Sequence, residues 1–257
     1  MPLALHASVT GDPASQDVLV LHGLFGSSGN WRSITAKLSA SYCVHSLDLR
    51  NHGQSPWAET MSYIDMASDI VKYISDHQLQ RPNLIGHSMG GKTVMAMLQN
   101  FSMPIAQAII LDIAPVGYQH DHDQLLDAMH TLDLKSLESR SQADLLLSDQ
   151  ISEAGIRQFL LQNLAREGSG FRWRINLAAI SANRSLIFSY PGGEVVTEKV
   201  FFIAGDQSDY VQPAHYPALK SHFPNAEIAH IAGAGHWLHA EQPAALLKLL
   251  FRYLDPK

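Results

Sequence analysis

The sequence Asn83-Leu84-Ile85-Gly86-His87-Ser88-Met89-Gly90-Gly91 decides the fold. A short apolar run enters a Gly-x-Ser-x-Gly pattern, and a helical pattern follows at once over residues 92–99. Glycines two residues before and after Ser88 permit a sharp turn from strand to helix, because a Cβ atom at either place would collide with neighbouring backbone. Such a turn raises the Ser88 hydroxyl above the sheet edge and directs the N–H of Met89 toward any group bonded to that oxygen. The pattern predicts a nucleophile at Ser88; the alternative is an ordinary tight turn with an exposed serine.

Apolar runs flank this stretch along the chain. Residues 17–22, 42–47 and 108–112 are continuous apolar segments, typical of strands buried on both faces of a parallel sheet. Helical spacings alternate with them, which predicts right-handed βαβ units and a sheet covered on both sides. Ligands bind at the carboxyl ends of strands in such sheets. Four polar residues follow these ends, and we expect them at one edge: His22, Asp48, Ser88 and Asp112.

The sequence pattern changes from about residue 116 to residue 197. Helical stretches follow one another without a convincing strand at residues 123–129, 134–137, 142–147, 151–164 and 177–181, interrupted by a short segment at 171–176. This part of the chain is too long for a connecting loop. We therefore predict a core made of residues 1–115 and 198–257, with a helical cap at 116–197 inserted into it.

The predicted sheet resumes at residues 199–205 and 226–231 and is followed by a glycine-rich turn that carries His236. A serine hydroxyl is a weak nucleophile until a neighbouring base takes its proton. A third, acidic group must hold the imidazole in the correct tautomer and stabilise its charged form. The order serine, acid, histidine along the chain is the one expected for this arrangement, and His236 is the predicted base.

The acid has more than one candidate. In many proteins of this pattern it lies three residues after the glycine that ends the penultimate strand, and that position here is Ser208. Asp206 and Asp209 flank this position. Asp112 instead follows the strand directly after the Ser88 unit, with its side chain expected at the same edge. We favour Asp112, with Asp209 as the main alternative; a loop-capping role is the competing interpretation of Asp112.

Two backbone groups and two aromatic side chains complete the predicted site. The N–H groups of Leu24 and Met89 are placed to stabilise the oxyanion that forms when Ser88 attacks a carbonyl. Phe25 and Trp237 neighbour these residues in sequence and could line an acyl pocket, or belong to the core.

Five sequence words together resemble the α/β-hydrolase superfamily, and in particular the small bacterial carboxylesterases of the YbfF type. They are His22-Gly23-Leu24-Phe25-Gly26-Ser27, Asp48-Leu49-Arg50-Asn51-His52-Gly53, Gly86-His87-Ser88-Met89-Gly90-Gly91-Lys92, Asp112-Ile113-Ala114-Pro115-Val116 and Ala232-Gly233-Ala234-Gly235-His236-Trp237. The resemblance implies hydrolysis of small-molecule carboxylic esters, and of acyl-CoA thioesters as an extension, without a cofactor. It also implies an acid where Asp112 stands. Asp209 departs from the family pattern and leaves a rescue acid open.

Bulk properties exclude several classes of partner. The net charge of −6 offers neither a basic nucleic-acid patch nor a polybasic membrane anchor, and 46% hydrophobic with 16% charged residues is a globular balance. The single cysteine, Cys43, excludes an internal disulfide and fits a reducing compartment, so we expect a cytoplasmic protein. The sequence does not fix the oligomeric state.

Two other functions remain open at the level of sequence. A lyase or C–C bond hydrolase of the menaquinone-pathway type uses a similar triad, and a non-catalytic binding protein could use the same scaffold. The segment Gln119-His120-Asp121-His122-Asp123 resembles a metal cluster, but no His-x-x-x-His pair on a helix supports one, and a solvated entry to the cap is favoured. We predict no metal.

Overall fold

The computed structural model of the chain describes residues 1–118 and 122–255. Residues 119–121 of the segment weighed above as a metal cluster lie outside these ranges, so the structure does not test that interpretation. Within the described residues, no helix is both long and apolar enough to span a bilayer.

Seven strands form one sheet, which confirms the predicted α/β fold. The nine strands of the described chain are β1 Ala7–Thr10, β2 Asp17–Leu21, β3 Cys43–Leu47, β4 Asn83–His87, β5 Ala108–Leu111, β6 Leu164–Glu167, β7 Gly170–Trp173, β8 Val200–Gly205 and β9 Glu227–Ile231. The order across the sheet is β1-β3-β2-β4-β5-β8-β9. Only β1 runs antiparallel to its neighbour. The hairpin of β6 and β7 stands apart from this sheet.

Helices cover both faces of the sheet. Those of the described chain are α1 Arg32–Leu38, α2 Tyr63–Asp76, α3 Met89–Asn100, α4 His122–His130, α5 Arg140–Ser148, α6 Ala154–Leu161, α7 Leu177–Ala182, α8 Arg184–Phe188, α9 Tyr216–His222, α10 Leu238–Glu241 and α11 Pro243–Leu254. Alternate residues of one strand face opposite layers. Val18 and Val20 pack with α1 and α11 in one apolar cluster, whereas Leu19 and Leu21 pack with α2 and α3 in the other.

The strand register brings the predicted polar residues to one edge. Leu21 pairs with Leu47, His87 with Leu111, and Leu111 with Ile203. Since these strands are parallel and end at nearly the same level, the residues that follow them emerge side by side. The functional candidates His22, Asp48, Ser88 and Asp112 are those residues.

The segment predicted as a cap carries α4 to α8 and the β6–β7 hairpin between β5 and β8. Two details of its prediction are wrong. The helix predicted at 134–137 is a turn instead. The Asp133 side chain accepts a hydrogen bond from the N–H of Lys135, and the Asp133 backbone carbonyl accepts one from the N–H of Ser136. These local hydrogen bonds compete with helix formation. The helix predicted at 151–164 is shorter, Ala154–Leu161, and Leu164 begins the β6–β7 hairpin. Gly168 turns the chain of this hairpin with φ of +58°.

Candidate active site

Ser88 occupies a strained turn between β4 and α3. Its backbone has φ of 52° and ψ of −118°, a conformation that residues other than glycine rarely adopt. The turn is held because the N–H of Ser88 donates to the Leu111 carbonyl at 3.0 Å. A Cβ atom on Gly90 would lie 2.5 Å from the Leu21 carbonyl oxygen, so the first turn of α3 packs directly on the end of β2. Glycine at this position is therefore a requirement of the turn.

The side chains of Ser88, His236 and Asp112 form one hydrogen-bonded chain. The Ser88 Oγ lies 3.0 Å from Nε2 of His236, and Nδ1 of His236 lies 2.7 Å from Oδ2 of Asp112. Because an ionised carboxylate only accepts, Nδ1 carries the proton and Nε2 is free to accept from the serine hydroxyl. The turn after β9 thus brings the imidazole across the sheet edge to the serine.

Asp112 is completely buried and has several donors. It follows β5 with φ of 50°, and its Oδ1 accepts from the N–H of Gly205 at 2.9 Å. Its Oδ2 accepts from His236 and also from the Ser208 hydroxyl. Ser208 is the position where the strand-end count places an acid, so this serine occupies that place and donates to the acid from β5.

The other two acid candidates lie elsewhere. Asp209 is exposed at the surface. The carboxylate of Asp206 accepts from the N–H of Gly233 at 2.8 Å and fixes the turn that carries His236. The structure therefore brings only Asp112 among the three candidates to the imidazole.

Two further histidines surround His236 and remain uncharged. Nε2 of His87 contacts the His236 carbonyl at 2.8 Å, and burial lowers the pKa of His87 well below the usual value. Burial, followed by repulsion from His236, lowers the pKa of His239 to about 4. On its other side the His236 ring stacks on Tyr210 with centroids 3.9 Å apart. The imidazole is thus held between neutral groups.

The loop after β2 brings a second backbone donor near Ser88. A Cβ atom on Gly23 would lie 3.2 Å from the Ser88 Cβ, so this loop passes directly over the serine. Within the described chain, neither the N–H of Leu24 nor that of Met89 donates to a protein acceptor. Met89 is the first residue of α3, whose N–H has no partner within the helix. Both predicted donors are therefore available beside the serine.

Two buried histidines, whose roles sequence reasoning missed, fix the shape of that loop. Nε2 of His52 accepts from the N–H of Phe25 at 3.2 Å, and Nδ1 donates to the Arg50 carbonyl at 2.9 Å. His22 likewise accepts from Leu49 at 3.0 Å through Nε2. Burial lowers the pKa of His52 to about 3 and also lowers that of His22, so each ring keeps one donor and one acceptor. The motif Arg50-Asn51-His52-Gly53 was the sequence feature that could have indicated these histidine contacts.

A cleft opens over Ser88 and His236. Both aromatic residues predicted for the pocket line it: Phe25, which is 4% exposed and also part of the core, and Trp237, which is half-buried. Phe159 from α6 faces Trp237 with ring centroids 5.8 Å apart. The inserted segment thus contributes to the wall of this cleft.

A separate group of potential ligand atoms lies at the start of the strands, far from Ser88 along them. The side chains of Asp17, Cys43 and His45 have ligand atoms within 4.8 Å of one another. They bond among themselves, with Nε2 of His45 3.1 Å from Asp17, and Nδ1 of His45 contacts the Tyr73 hydroxyl at 2.9 Å. These contacts tie β2 and β3 to α2.

Comparison with known proteins agrees with this fold. Residues 18–243 match the family profile described as alpha/beta hydrolase fold. The chain is 35% identical over 239 residues to Esterase YbfF of Escherichia coli (strain K12), which covers 93% of this chain and 92% of that protein. It is 34% identical over 263 residues to the sn-1-specific diacylglycerol lipase ABHD11 of Mus musculus, which covers 99% of this chain and 85% of that protein.

A solved structure shows the same relationship in three dimensions. That of a marine microorganism esterase superposes with a TM-score of 0.94 at 35% identity, over 98% of this chain and 99% of the other. The two relatives described above are named an esterase and a lipase, and both names denote hydrolases. The chain therefore belongs to the α/β-hydrolase family and is a hydrolase of the esterase/lipase type, related to the YbfF-type esterases.

Proposed function

We propose that the protein hydrolyses small-molecule carboxylic esters through an acyl-enzyme intermediate on Ser88. The observation that supports this most strongly is the hydrogen-bonded chain from Ser88 through His236 to the buried carboxylate of Asp112. Nucleophile, base and orienting acid occur in this relation in serine hydrolases on unrelated folds. Ligand binding alone does not require a buried carboxylate that is hydrogen-bonded to an imidazole.

In the first half of the reaction Ser88 is acylated. Nε2 of His236 takes the hydroxyl proton as Oγ attacks the ester carbonyl carbon, and Asp112 stabilises the resulting imidazolium. The negative oxygen of the tetrahedral intermediate accepts from the N–H groups of Leu24 and Met89, each worth about 3 kcal/mol of barrier. The imidazolium then gives its proton to the departing alkoxide, the C–O bond breaks, and an alcohol leaves.

The second half releases the acid by the reverse sequence. Water enters the alcohol's place, His236 removes its proton, and the hydroxide oxygen attacks the acyl carbon. The same two backbone donors hold the second oxyanion. Collapse returns the proton to Ser88 Oγ and frees the carboxylic acid. Apart from the ester and this water, neither half consumes another reactant.

The segment 116–197 is proposed to act as a cap that encloses the substrate. Phe159 lines the cleft from α6, and the side-chain amide of Asn163 donates to the Phe25 carbonyl at 2.7 Å. Phe25 and Trp237 then contact the apolar part of the substrate. Esters are the favoured substrates over thioesters, because two similar proteins are named an esterase and a diacylglycerol lipase.

A fluorophosphonate probe tests the proposal directly. We expect one covalent adduct on Ser88 of the intact protein, located by peptide mass spectrometry, and none on Ser88→Ala. Ser27, which precedes the first short helical turn, provides the matched control: Ser27→Ala should still be labelled. Absence of an adduct on folded wild-type protein would leave the binding-protein interpretation.

A panel of 4-nitrophenyl esters and acyl-CoAs of increasing chain length separates the enzymatic alternatives. Turnover of esters that depends on Ser88 supports the proposal, and turnover of acyl-CoAs alone would make the protein a thioesterase. A labelled Ser88 with no turnover of any acyl donor would favour the lyase or C–C bond hydrolase.

A further inference from the structure

A second, smaller cavity adjoins Ser88 along the side of α3. Leu24, Ser88 and Tyr210 line both this cavity and the main cleft. An acyl group on Ser88 therefore has two spaces around it, and the second is walled by aromatic and aliphatic side chains with one exception. That exception is Lys92, and the walls are Leu24, Tyr63, Met89, Ile113, Tyr118, Ile187, Phe188 and Tyr210, with Ser88 at the mouth.

The side-chain ammonium group of Lys92 lies in an apolar environment. It is 2% exposed, and its Nζ donates to the Ser189 carbonyl at 2.7 Å. The Nζ also lies 4.8 Å from the ring centroid of Tyr118 and 5.6 Å from that of Tyr63. Among residues 1–118 and 122–255, no carboxylate forms an ion pair with it. A buried lysine almost always has such a partner, because an isolated charge is costly to desolvate.

The position of Lys92 on α3 sets its distance from the nucleophile. Ser88 caps this helix and Lys92 lies one turn later, so the two residues share a face with Cβ atoms about 6 Å apart. Long side chains on a helix point back toward its N-terminus, here toward Ser88. Because Ser88 and Lys92 line the same small cavity, a short acyl group on Ser88 that ends in an anionic group is within reach of Lys92.

We propose that this Lys92 cavity binds a carboxylate at the far end of the acyl group, so that the preferred substrates are half-esters of short dicarboxylic acids. The inference rests on the proposed function of Ser88 and names the acyl class of that site. The substrate carboxylate completes the ion pair that the protein lacks, and the Tyr63 and Tyr118 rings exclude water around it. Specificity follows because a neutral acyl group leaves the ammonium desolvated and unpaired.

The charge of Lys92 gives this proposal a pH signature. Burial lowers its pKa to about 7, so the lysine loses its charge as the pH rises through neutrality. The other ionisable groups facing the cavity are tyrosines: burial raises the pKa of Tyr63, Tyr118 and Tyr210, and Asp112 raises the latter two further. They stay neutral below pH 9. A pH dependence of the hydrolytic step itself acts on both esters alike and cancels in a ratio of two substrates.

Two shape-matched esters test the inference: methyl hydrogen succinate, and methyl 4-methylpentanoate, in which an isopropyl group replaces the carboxylate. Methanol release is followed by NMR from pH 6 to 8.5, and kcat/KM is compared as a ratio. We expect the wild-type protein to favour the succinate ester at least tenfold at pH 6, with the ratio falling as the pH rises through 7. A ratio near one at every pH would overturn the proposal.

Variants assign the effect to the ammonium group. Lys92→Met should lower the ratio at least tenfold and remove its pH dependence. Lys92→Arg should keep the preference and hold it up to pH 8.5, because arginine stays charged. Lys72→Met, at an exposed lysine paired with Asp76 on α2, should behave as wild type. A lysine that only anchors Ser189 would change stability in Lys92→Met and leave the ratio intact, and that result would sink the inference.

A binding measurement separates this inference from the proposed function. Succinate should protect Ser88 from the fluorophosphonate probe at lower concentration than 4-methylpentanoate, and Lys92→Met should abolish the difference. Labelling and neutral-ester turnover without that difference would remove only the dicarboxylate preference. Loss of labelling in wild-type protein would instead remove the function on which it rests.

Discussion

At the scale of single residues, the proposed site is arranged around one buried carboxylate, that of Asp112. Asp112 accepts from His236, from Ser208 and from the backbone of Gly205, and none of its surface reaches solvent. These three hydrogen bonds fix the orientation of the Asp112 side chain. In the proposed mechanism Ser208 positions the Asp112 side chain, and it stands where many proteins of this pattern carry the acid.

The choice between acids gives a sharp prediction. Asp112→Asn should lower kcat/KM by about 10³–10⁴-fold, because an amide can present its NH₂ group to His236 and favour the wrong tautomer. Asp209→Asn should change it by less than about tenfold, since that side chain is exposed and lies outside the hydrogen-bonded chain. Steady-state hydrolysis of one 4-nitrophenyl ester measures both. If Asp209→Asn were the more damaging variant, a rescue acid would be operating.

The candidate site residues were easier to predict from sequence than the residues that hold them in place. Ser88 and His236 stand in glycine-rich words after buried strands, and that context is local. The roles of His22, His52 and Ser208 depend on partners at least 20 residues away, such as the Phe25 N–H on His52. The sequence analysis named these positions, but a single sequence does not show which distant groups pair, so their roles were missed.

At the scale of elements, the parallel strands were predicted because burial on both faces makes them continuously apolar. The edge strand β1 was not predicted, since three of its four residues are exposed and it pairs with β3 alone. In the inserted segment, the helix expected at 134–137 became a turn because the Asp133 side chain satisfied the backbone locally. Short, polar elements depend on such competition, which periodicity does not record.

The close contact between α3 and β2 at Gly90 predicts how an added methyl group there changes stability. In Gly90→Ala the new Cβ would lie 2.5 Å from the Leu21 carbonyl oxygen and 2.7 Å from that of His22, both backbone atoms that cannot rotate away. We expect a loss of about 1–3 kcal/mol in the free energy of unfolding, together with reduced labelling of Ser88 as the turn shifts. Urea denaturation measures the first quantity.

A matched control lies in α6. A Cβ atom on Gly155 would meet nothing within 4 Å, so Gly155→Ala adds the same methyl group to open space. Since alanine favours helix over glycine, this variant should gain about 0.5–1 kcal/mol. Equal stability of the two variants would mean that the close approach at Gly90 relaxes without cost.

At the scale of the whole molecule, the apolar cluster around α2 and α3 continues into the inserted segment, and Lys92 lies within it. The carbonyl that its Nζ meets belongs to Ser189, directly after α8. A charged group at this junction opposes the packing that joins the two parts of the chain. Such a conflict between local chemistry and global stability is expected where a residue serves function.

That conflict is measurable as a pH-dependent stability. Folding lowers the pKa of Lys92 from 10.5 to about 7, so between these values the unfolded chain binds the extra proton. The resulting penalty on the folded state is fully present below about pH 7 and disappears as the pH rises toward 10.5. Lys92→Met keeps the unbranched stem and removes the charge. At pH 6 we expect its free energy of unfolding to exceed that of wild type by about 1–3 kcal/mol.

The difference should shrink with rising pH and reverse near pH 10, where the neutral wild-type amine still donates to Ser189 and methionine cannot. Urea denaturation of both proteins at matched pH values, with Lys72→Met as the exposed control, measures it. A variant less stable than wild type already at pH 6 would show that the ammonium is a net anchor of the fold. A more stable variant that has lost the dicarboxylate preference would show that this fold keeps a destabilising charge for substrate recognition.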